Sequence, residues 1–284
     1  MASFVAVTAN AQQGRVAGQI IAAKVRGTVT ALNKADNSQR TLHDNDTLSQ
    51  SYVVTTGLNS SVILIFSNGS TINLSQDSTL SIDEFLQDPF DTKYTVAEAK
   101  EEPTTSTTKL TLARGELVGN VKHLHKESGS SYTVNTPVGA AGVRGTTFRI
   151  VFRPDGTGKA FFTVSTAEGE VILSGTTSGA DIPIGSNKEV VVTVEVTVNA
   201  QTGVVTVTSA PPITGTTDSS AATQASIAAA VQAIVDTNTA VFKSAIEGSL
   251  DTSTSRLNDA NNQSSAKSVL PDTTPGAGRT ATSG

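Results

Sequence analysis

His123 and His125 are the pair whose residue type and spacing come nearest to a metal site. Residues two apart on a strand lie on one face, so both imidazoles could bind one divalent ion. Glu127 would share that face if the strand continued. Because no further ligand is evident nearby, we expect two surface histidines and keep a metal site only as a weak alternative.

Carboxylates cluster around residues 83–91, where Asp83, Glu84, Asp88 and Asp91 could offer hard oxygen ligands to Ca²⁺. The Asp-x-Asp-x-Asp-Gly spacing of a calcium loop is absent, so a solvated acidic loop is the favoured interpretation. The chain contains no cysteine, which excludes thiol catalysis, zinc–thiolate sites and iron–sulfur clusters. Neither a glycine-rich phosphate loop nor a Gly-x-Ser-x-Gly elbow occurs. We therefore predict a protein that is not an enzyme and needs no cofactor.

The composition favours an all-β, secreted-type chain. Threonine accounts for 42 of the 284 residues, and only 16% of the residues are charged. The net charge of −5 argues against nucleic-acid binding, and no apolar run is long enough for a membrane span. Aromatic residues make up 4%, with no tryptophan, which weakens an alternative role in binding polysaccharide or peptidoglycan.

The N-terminal residues suggest export. Ala9-Asn10-Ala11 fits the small-x-small cleavage site of a secretory signal, although the preceding apolar stretch is short. We interpret residues 1–15 as the remainder of a truncated signal segment and expect a periplasmic or extracellular protein.

Residues 16–185 contain the pattern of one β domain built from short strands. Apolar alternation recurs between turn residues, and Asn68-Gly69 is a strong hairpin signal because both residues tolerate positive φ. The alternation over Gln19–Leu32 predicts strand at the start of this succession. Residues 83–108 read as a long acidic and Thr-rich surface loop.

Three segments follow this domain. Residues 186–209 predict a β-hairpin whose valines, including Val190, Val192 and Val194, must be buried or leave a sticky edge. Residues 218–248 predict an amphipathic helix, with an apolar stripe that includes Ile227, Val231, Ile234 and Val241. The favoured interpretation places this helix on its own β domain, and the alternative is docking on a partner or self-association. The polar residues 249–284 are predicted to be a disordered tail.

Several motifs in order resemble the FecR domain, a periplasmic module of iron-dicitrate-type signalling regulators, over residues 16–174. The most specific runs from Val134 to Phe148 as VNTPVGAAGVRGTTF, and SVILIFSNGSTINL from Ser61 also matches the family pattern. The signature residues are Thr136, Pro137, Gly142, Val143, Arg144, Gly145, Thr146 and Phe148. We expect most of them to be structural, with Arg144 either pinning a turn or contacting a partner.

The resemblance implies a solenoid-like, twisted and stacked β fold and a role in protein recognition. In the regulators this domain reads a TonB-dependent receptor at the outer membrane. We favour a stand-alone exported form without a sigma-binding segment or transmembrane helix. Its expected function is a protein-interaction or structural module of the cell envelope that binds a protein partner or itself. Signal reception from a TonB-dependent receptor is the alternative.

Overall fold

A computed structural model describes residues 14–90 and 100–237, which are mainly β with one helix near the C-terminal end. The strands are β1 Val16–Ala17, β2 Ile20–Arg26, β3 Val29–Asn33, β4 Gln39–Thr41, β5 Thr47–Leu48, β6 Tyr52–Thr56, β7 Ser61–Phe66, β8 Thr71–Leu74, β9 Ser78–Gln87, β10 Ser106–Asn120, β11 Ser131–Asn135, β12 Ala140–Val143, β13 Thr147–Pro154, β14 Lys159–Glu168, β15 Glu170–Ser174, β16 Ile182–Gly185, β17 Lys188–Val198, β18 Val205–Ser209 and β19 Thr217–Asp218. A 3₁₀ turn covers Lys126–Ser128.

The strands form two open, stacked sheets. Sheet A has the order β4-β3-β6-β9-β10-β11-β12-β15-β16, with β1 beside the far end of β9. Sheet B has the order β5-β2-β7-β8-β10-β13-β14-β17-β18, with β19 also pairing with β17. After β10, successive hairpins alternate between the sheets, which accounts for the expected stacked β character.

One long strand, β10, belongs to both sheets. Its first part pairs with β9 and β11 in sheet A, and its second part pairs with β8 and β13 in sheet B. The bend lies at Gly115, which has φ +101° and packs so closely on Ser78 that a Cβ atom would overlap it. Glycine alone tolerates both conditions, so this residue allows one strand to join the two layers.

The segment Gln19–Leu32, where alternation predicts strand, is divided between two strands. The chain forms β2 in sheet B and then β3 in sheet A, with Gly27 between them at φ +68°. Alternation of apolar residues continues through the break because both strands face the same core, so the pattern alone concealed the change of sheet.

The predicted loop over residues 83–108 is also too long. Its two ends are strand, since Ser106 pairs with Gln87 and Lys109 pairs with Glu84. Charged side chains misled the prediction because they lie on the outer face: Lys34 Nζ is 3.0 Å from Asp83 Oδ1, and Lys109 Nζ is 3.7 Å from Glu84 Oε2. Asp91 lies outside the described residues.

A single apolar core fills the space between the sheets. Six aromatic rings are among its largest fully buried side chains, namely Tyr132, Phe66, Phe85, Phe148, Phe152 and Phe162. Phe66 and Phe85 meet edge to face with ring centres 5.1 Å apart. Burial of apolar surface is the main source of stability, so this core is the platform for the surface features below.

Residues 221–237 are helical. Ser220 caps the helix, because its Oγ accepts a hydrogen bond from the Thr223 amide at 3.1 Å. At the same end the Ser220 amide donates to Glu189 of β17, and near the other end Lys24 of β2 donates to the Ala233 carbonyl. These contacts attach the helix to strands at both sides of sheet B. Within the described ranges, no helix combines the length and apolar character needed to cross a bilayer.

Candidate functional site

The segment Val134–Phe148 forms a hairpin of sheet A and enters the next strand of sheet B. The turn between β11 and β12 is closed by Thr136, whose Oγ1 donates to the Gly139 carbonyl at 2.7 Å. The same oxygen accepts hydrogen bonds from the Val138 and Gly139 amides at 3.2 Å. Pro137 cannot donate a backbone hydrogen bond and occupies the turn. The hydroxyl of Thr136 is therefore used within its own turn.

Gly145 allows the following segment to approach the chain after β10. It has φ +62°, and a Cβ atom there would lie 3.1 Å from His123 Cα. The adjacent Thr146 carbonyl accepts the Val121 amide at 2.9 Å. Any side chain at this glycine would strain both the backbone and the packing.

Phe148 anchors the end of the segment in the core. Its side chain is fully buried, and its ring meets Tyr132 edge to face at 6.4 Å. Burial raises the pKa of the Tyr132 hydroxyl far above its ordinary value, so this group stays neutral. Val143 and Thr146 are also buried. These residues position the segment and leave no reactive group at the surface.

Arg144 is the exception, because its side chain is 53% exposed. Its Nη1 lies 3.6 Å from Glu170 Oε1 on β15, in an ion pair that is itself open to water. The guanidinium borders a groove of about 520 Å³, lined by Glu101, His123, Leu124, His125, Lys126, Glu127, Ser128 and Arg144. Burial, together with the charge of Arg144, lowers the pKa of Lys126. The groove therefore presents clustered cationic side chains beside carboxylates, an arrangement suited to binding a polar partner surface.

The two histidines lie in this groove, but they do not lie in a strand, because β10 ends at Asn120. His123 is exposed and forms an isolated parallel bridge with Glu101. His125 Nε2 lies 2.9 Å from the Glu102 carbonyl oxygen, and the His125 amide donates to Glu102 Oε1 at 2.7 Å. No group of three metal-binding side chains occurs within residues 14–90 and 100–237. The histidines thus contribute polar surface and local hydrogen bonding.

Comparison with known protein families matches residues 52–172 to the family described as FecR protein. Residues 52–172 are a FecR domain. The match lies within the segment 16–174 that carried the resemblance and includes all of the signature residues. A comparison with curated proteins finds no match.

Two crystal structures of a protein described as an anti-sigma factor from Parabacteroides distasonis ATCC 8503 were also found, at 1.65 Å and 2.50 Å resolution. They are 14% and 13% identical to this chain, each with a TM-score of 0.34. Each match covers 55% of this chain and 59% of the other chain, so this chain spans less than two thirds of their length.

The valines expected either to be buried or to leave a sticky edge for interaction are mostly core residues. Val190 and Val194 are buried, and Val192 is half-buried against the same core. Burial is therefore the outcome at Val190 and Val194, and these two residues are not available as an interaction surface. The physical reason is that β17 pairs with β14 along Lys159–Thr166, which turns its valine face inward.

The predicted apolar stripe of the helix faces the body of the protein in the described part of the chain. Ile227 and Ile234 are buried, while Val231 is partly exposed. The two isoleucines are covered by the protein's own body, as the favoured interpretation expects, so the alternative of a free partner-binding face is wrong at these positions. Val241 lies outside the described residues.

Sequence reasoning missed an ion cluster on the outer face of sheet B. Glu116 accepts hydrogen bonds from Arg149 Nε at 2.7 Å and from Arg153 Nη2 at 2.9 Å. The Glu116 side chain is only 13% exposed, so burial of its carboxylate is costly. The two arginines offset that cost by pairing with the carboxylate. The cluster joins β10 to β13, and no local sequence signal predicts pairing across such separations.

Proposed function

We propose that this FecR-domain protein is a non-catalytic interaction module of the cell envelope. One observation carries the proposal: the small and apolar signature residues are used for packing, whereas Arg144 is exposed beside a polar groove. A site that performed covalent chemistry would need reactive groups positioned together. A site that binds a protein needs an exposed, shaped and charged surface on a rigid support, which this groove provides.

We also propose that the protein is exported. The chain is rich in threonine and carries a signal-like N-terminus, both of which suit a β domain outside the cytoplasm. Fractionation of the cells that naturally encode the protein tests this step. Recovery of the protein only with cytoplasmic markers would contradict the envelope location.

Signal reception is the second candidate, and the match to the FecR protein family favours it. Under this second candidate function, the partner that binds the groove is a TonB-dependent receptor, and receptor binding changes the activity of a signalling pathway. The two candidates share the binding surface and differ in the identity of the partner.

Site-specific photo-crosslinking in cells that encode the protein tests the binding surface. A photoreactive residue replaces Ser128, which lines the groove beside the intact Arg144, and the matched control replaces Leu58, which is 78% exposed in a different part of the domain. We expect a discrete adduct from position 128 that is absent from position 58. Mass spectrometry of the adduct would identify the partner, and a TonB-dependent receptor would select the signalling role. Absence of any adduct at position 128 and at its groove neighbour Lys126 would overturn the proposal.

A further inference from the structure

A depression on the outer face of sheet A adjoins the groove and shares two residues with it. Its volume is about 260 Å³, and its lining includes Lys126, Ser131, Thr133, Gly142, Arg144 and Ile172. We call this depression the Gly142 pocket. Because Lys126 and Arg144 line both cavities, a partner bound in the groove lies next to the pocket.

The register of three neighbouring strands forms the floor of the pocket. Gly142 of β12 lies opposite Thr133 of β11 and opposite Ile172 of β15. Ala141 and Val143, on either side of Gly142 in the chain, are buried in the core, so Gly142 and its two cross-strand neighbours face outward. The side chains of these neighbours stand above the bare backbone of Gly142, which leaves the depression between them.

The fold does not require a glycine at position 142. Its φ is not positive, and an added Cβ atom would lie 3.6 Å from the Ile172 carbonyl oxygen, an ordinary contact distance. The glycines nearby differ, since a Cβ atom at Gly139 would lie 2.6 Å from the Ser174 carbonyl oxygen, and Gly145 has φ +62°. A glycine inside a strand weakens it and often marks a place where a ligand or another chain approaches closely. What Gly142 provides is therefore the open space above it.

The two charged side chains that line the pocket are both cationic. Arg144 Nη1 lies 3.6 Å from Glu170 Oε1, and the guanidinium forms no hydrogen bond within residues 14–90 and 100–237. Lys126 is exposed, and its ammonium group has no ion pair in the same part of the chain. Burial and then the charge of Arg144 lower the pKa of Lys126, while the charge of Glu170 raises it. One carboxylate thus acts on two cations without a hydrogen bond to either, and both can bind a further carboxylate.

We propose that the Gly142 pocket binds one carboxylate side chain, of an aspartate or a glutamate, from a partner protein. This inference rests on the proposed function, since the partner is the protein that occupies the adjoining groove. The carboxylate pairs with the guanidinium of Arg144 and the ammonium of Lys126, which are strong donors to a charged acceptor. Together with Glu170, it balances the two positive charges.

The size and polarity of the pocket favour a single side chain. Drug-sized molecules occupy cavities of roughly 300–1,000 Å³, and this pocket is smaller. The hydroxyls of Ser131 and Thr133 have no hydrogen-bond partner among the described residues and can donate to a carboxylate oxygen. Ile172 offers an apolar wall to the methylene groups of the side chain. A phosphate group carries a charge of about −1.5 to −2 and is disfavoured because Glu170 lies beside Arg144.

Titration of the full chain, followed by nuclear magnetic resonance, tests the pocket directly. The probe is N-acetylglutamate α-amide, and the uncharged N-acetylglutamine α-amide is the control ligand. We expect saturable shifts of the Gly142 and Thr133 amide signals with the glutamate probe alone. Arg144→Gln should abolish these shifts. Equal shifts with the glutamine derivative, shifts that do not saturate, or tighter binding of inorganic phosphate would overturn the inference.

Filling the pocket gives the sharpest variant. Gly142→Val should weaken binding of the glutamate probe at least about tenfold, because its methyl groups then occupy the floor of the pocket. Ala140→Val is the matched control, since Ala140 lies on the same face of β12 and does not line the pocket. Equal affinities of the two variants for the probe would place the carboxylate elsewhere.

Crosslinking in cells connects the pocket to the partner. With the photoreactive residue at position 128, Gly142→Val should reduce the yield of the adduct severalfold, and Ala140→Val should leave it unchanged. An adduct that Gly142→Val does not alter, or an adduct from a chain that fails to bind the glutamate probe, would refute only this inference. Binding of the probe without any adduct at positions 126 and 128 would support the pocket and contradict the proposed function.

Discussion

Two hairpins of this molecule have similar local patterns and different surroundings. The signature hairpin, β11 and β12, lies inside sheet A between β10 and β15. The valine-rich hairpin, β17 and β18, lies at the end of sheet B: β17 pairs with β14 and, at Lys188 and Glu189, with the short strand β19, while β18 has no second neighbouring strand among the described residues. Both alternate apolar and polar side chains, yet only the first has backbone partners on both sides. Position in the sheet therefore decides which hairpin is scaffold and which offers an edge.

The valine-rich hairpin also changes along its own length. Val190 and Val194 of β17 are 2% and 1% exposed, whereas Val198 on the same face is 52% exposed. The strand runs out of the core as it approaches the hairpin tip. An identical residue type thus has a structural role at one end of the strand and is available for contacts at the other.

The largest loss of stability is expected from a charge at a buried valine of β17, compared with the same charge at an exposed valine of that strand. Val194→Lys places a charge in the core opposite Ala160 and should cost about 5 kcal/mol or prevent folding, because the charge has no buried partner. Val198→Lys should change stability by less than about 0.5 kcal/mol. Denaturant unfolding of both variants measures the difference, and similar losses of stability would show that burial along the strand is not graded as described.

The signature hairpin depends on the core residue that follows it. Phe148→Ala removes a fully buried ring and its contact with Tyr132, so we expect a loss of about 4 kcal/mol. Chemical denaturation gives the free energy of unfolding. Phe161→Ala is the control, since Phe161 is 45% exposed and its loss should be much smaller.

A smaller effect is expected at the turn of the signature hairpin. Thr136→Val keeps the shape of the side chain and removes the hydroxyl that closes the turn, which should cost about 1–2 kcal/mol. Thr133→Val, on the same hairpin, is the control, because the Thr133 hydroxyl has no hydrogen-bond partner within the described residues. Equal decreases in melting temperature for the two variants would contradict the role of the Thr136 hydroxyl in closing the turn.

The smallest change in stability is expected for substitution of Arg144, and it tests whether this residue is structural or binds a partner. Its ion pair with Glu170 is exposed at both ends, so Arg144→Ala should change the free energy of unfolding by less than about 0.5 kcal/mol. The same substitution, combined with the photoreactive residue at position 128, should abolish the partner adduct. A large drop in melting temperature would instead make Arg144 a structural residue that pins its turn.

Much of the architecture follows from local sequence. The Asn68-Gly69 turn between β7 and β8 occurs as predicted, with the Gly69 amide bonded to the Phe66 carbonyl. The β class and the FecR resemblance are confirmed as well. The loop predicted over 83–108 is too long, and the alternation over Gln19–Leu32 does not show the division into β2 and β3, because alternation and charge do not report which sheet a strand joins.

The amino-acid sequence by itself determined the strand-forming segments, their turns and the order of the signature residues, because these depend on neighbours close along the chain. Only the tertiary structure decided that Val194 is buried while β18 is an edge, and that Arg144 reaches the surface. It also brought Glu116 together with Arg149 and Arg153, which lie 33 and 37 residues further along the chain. Pairing and burial are set by strands distant in sequence, and residue type alone does not encode which of those strands will lie alongside.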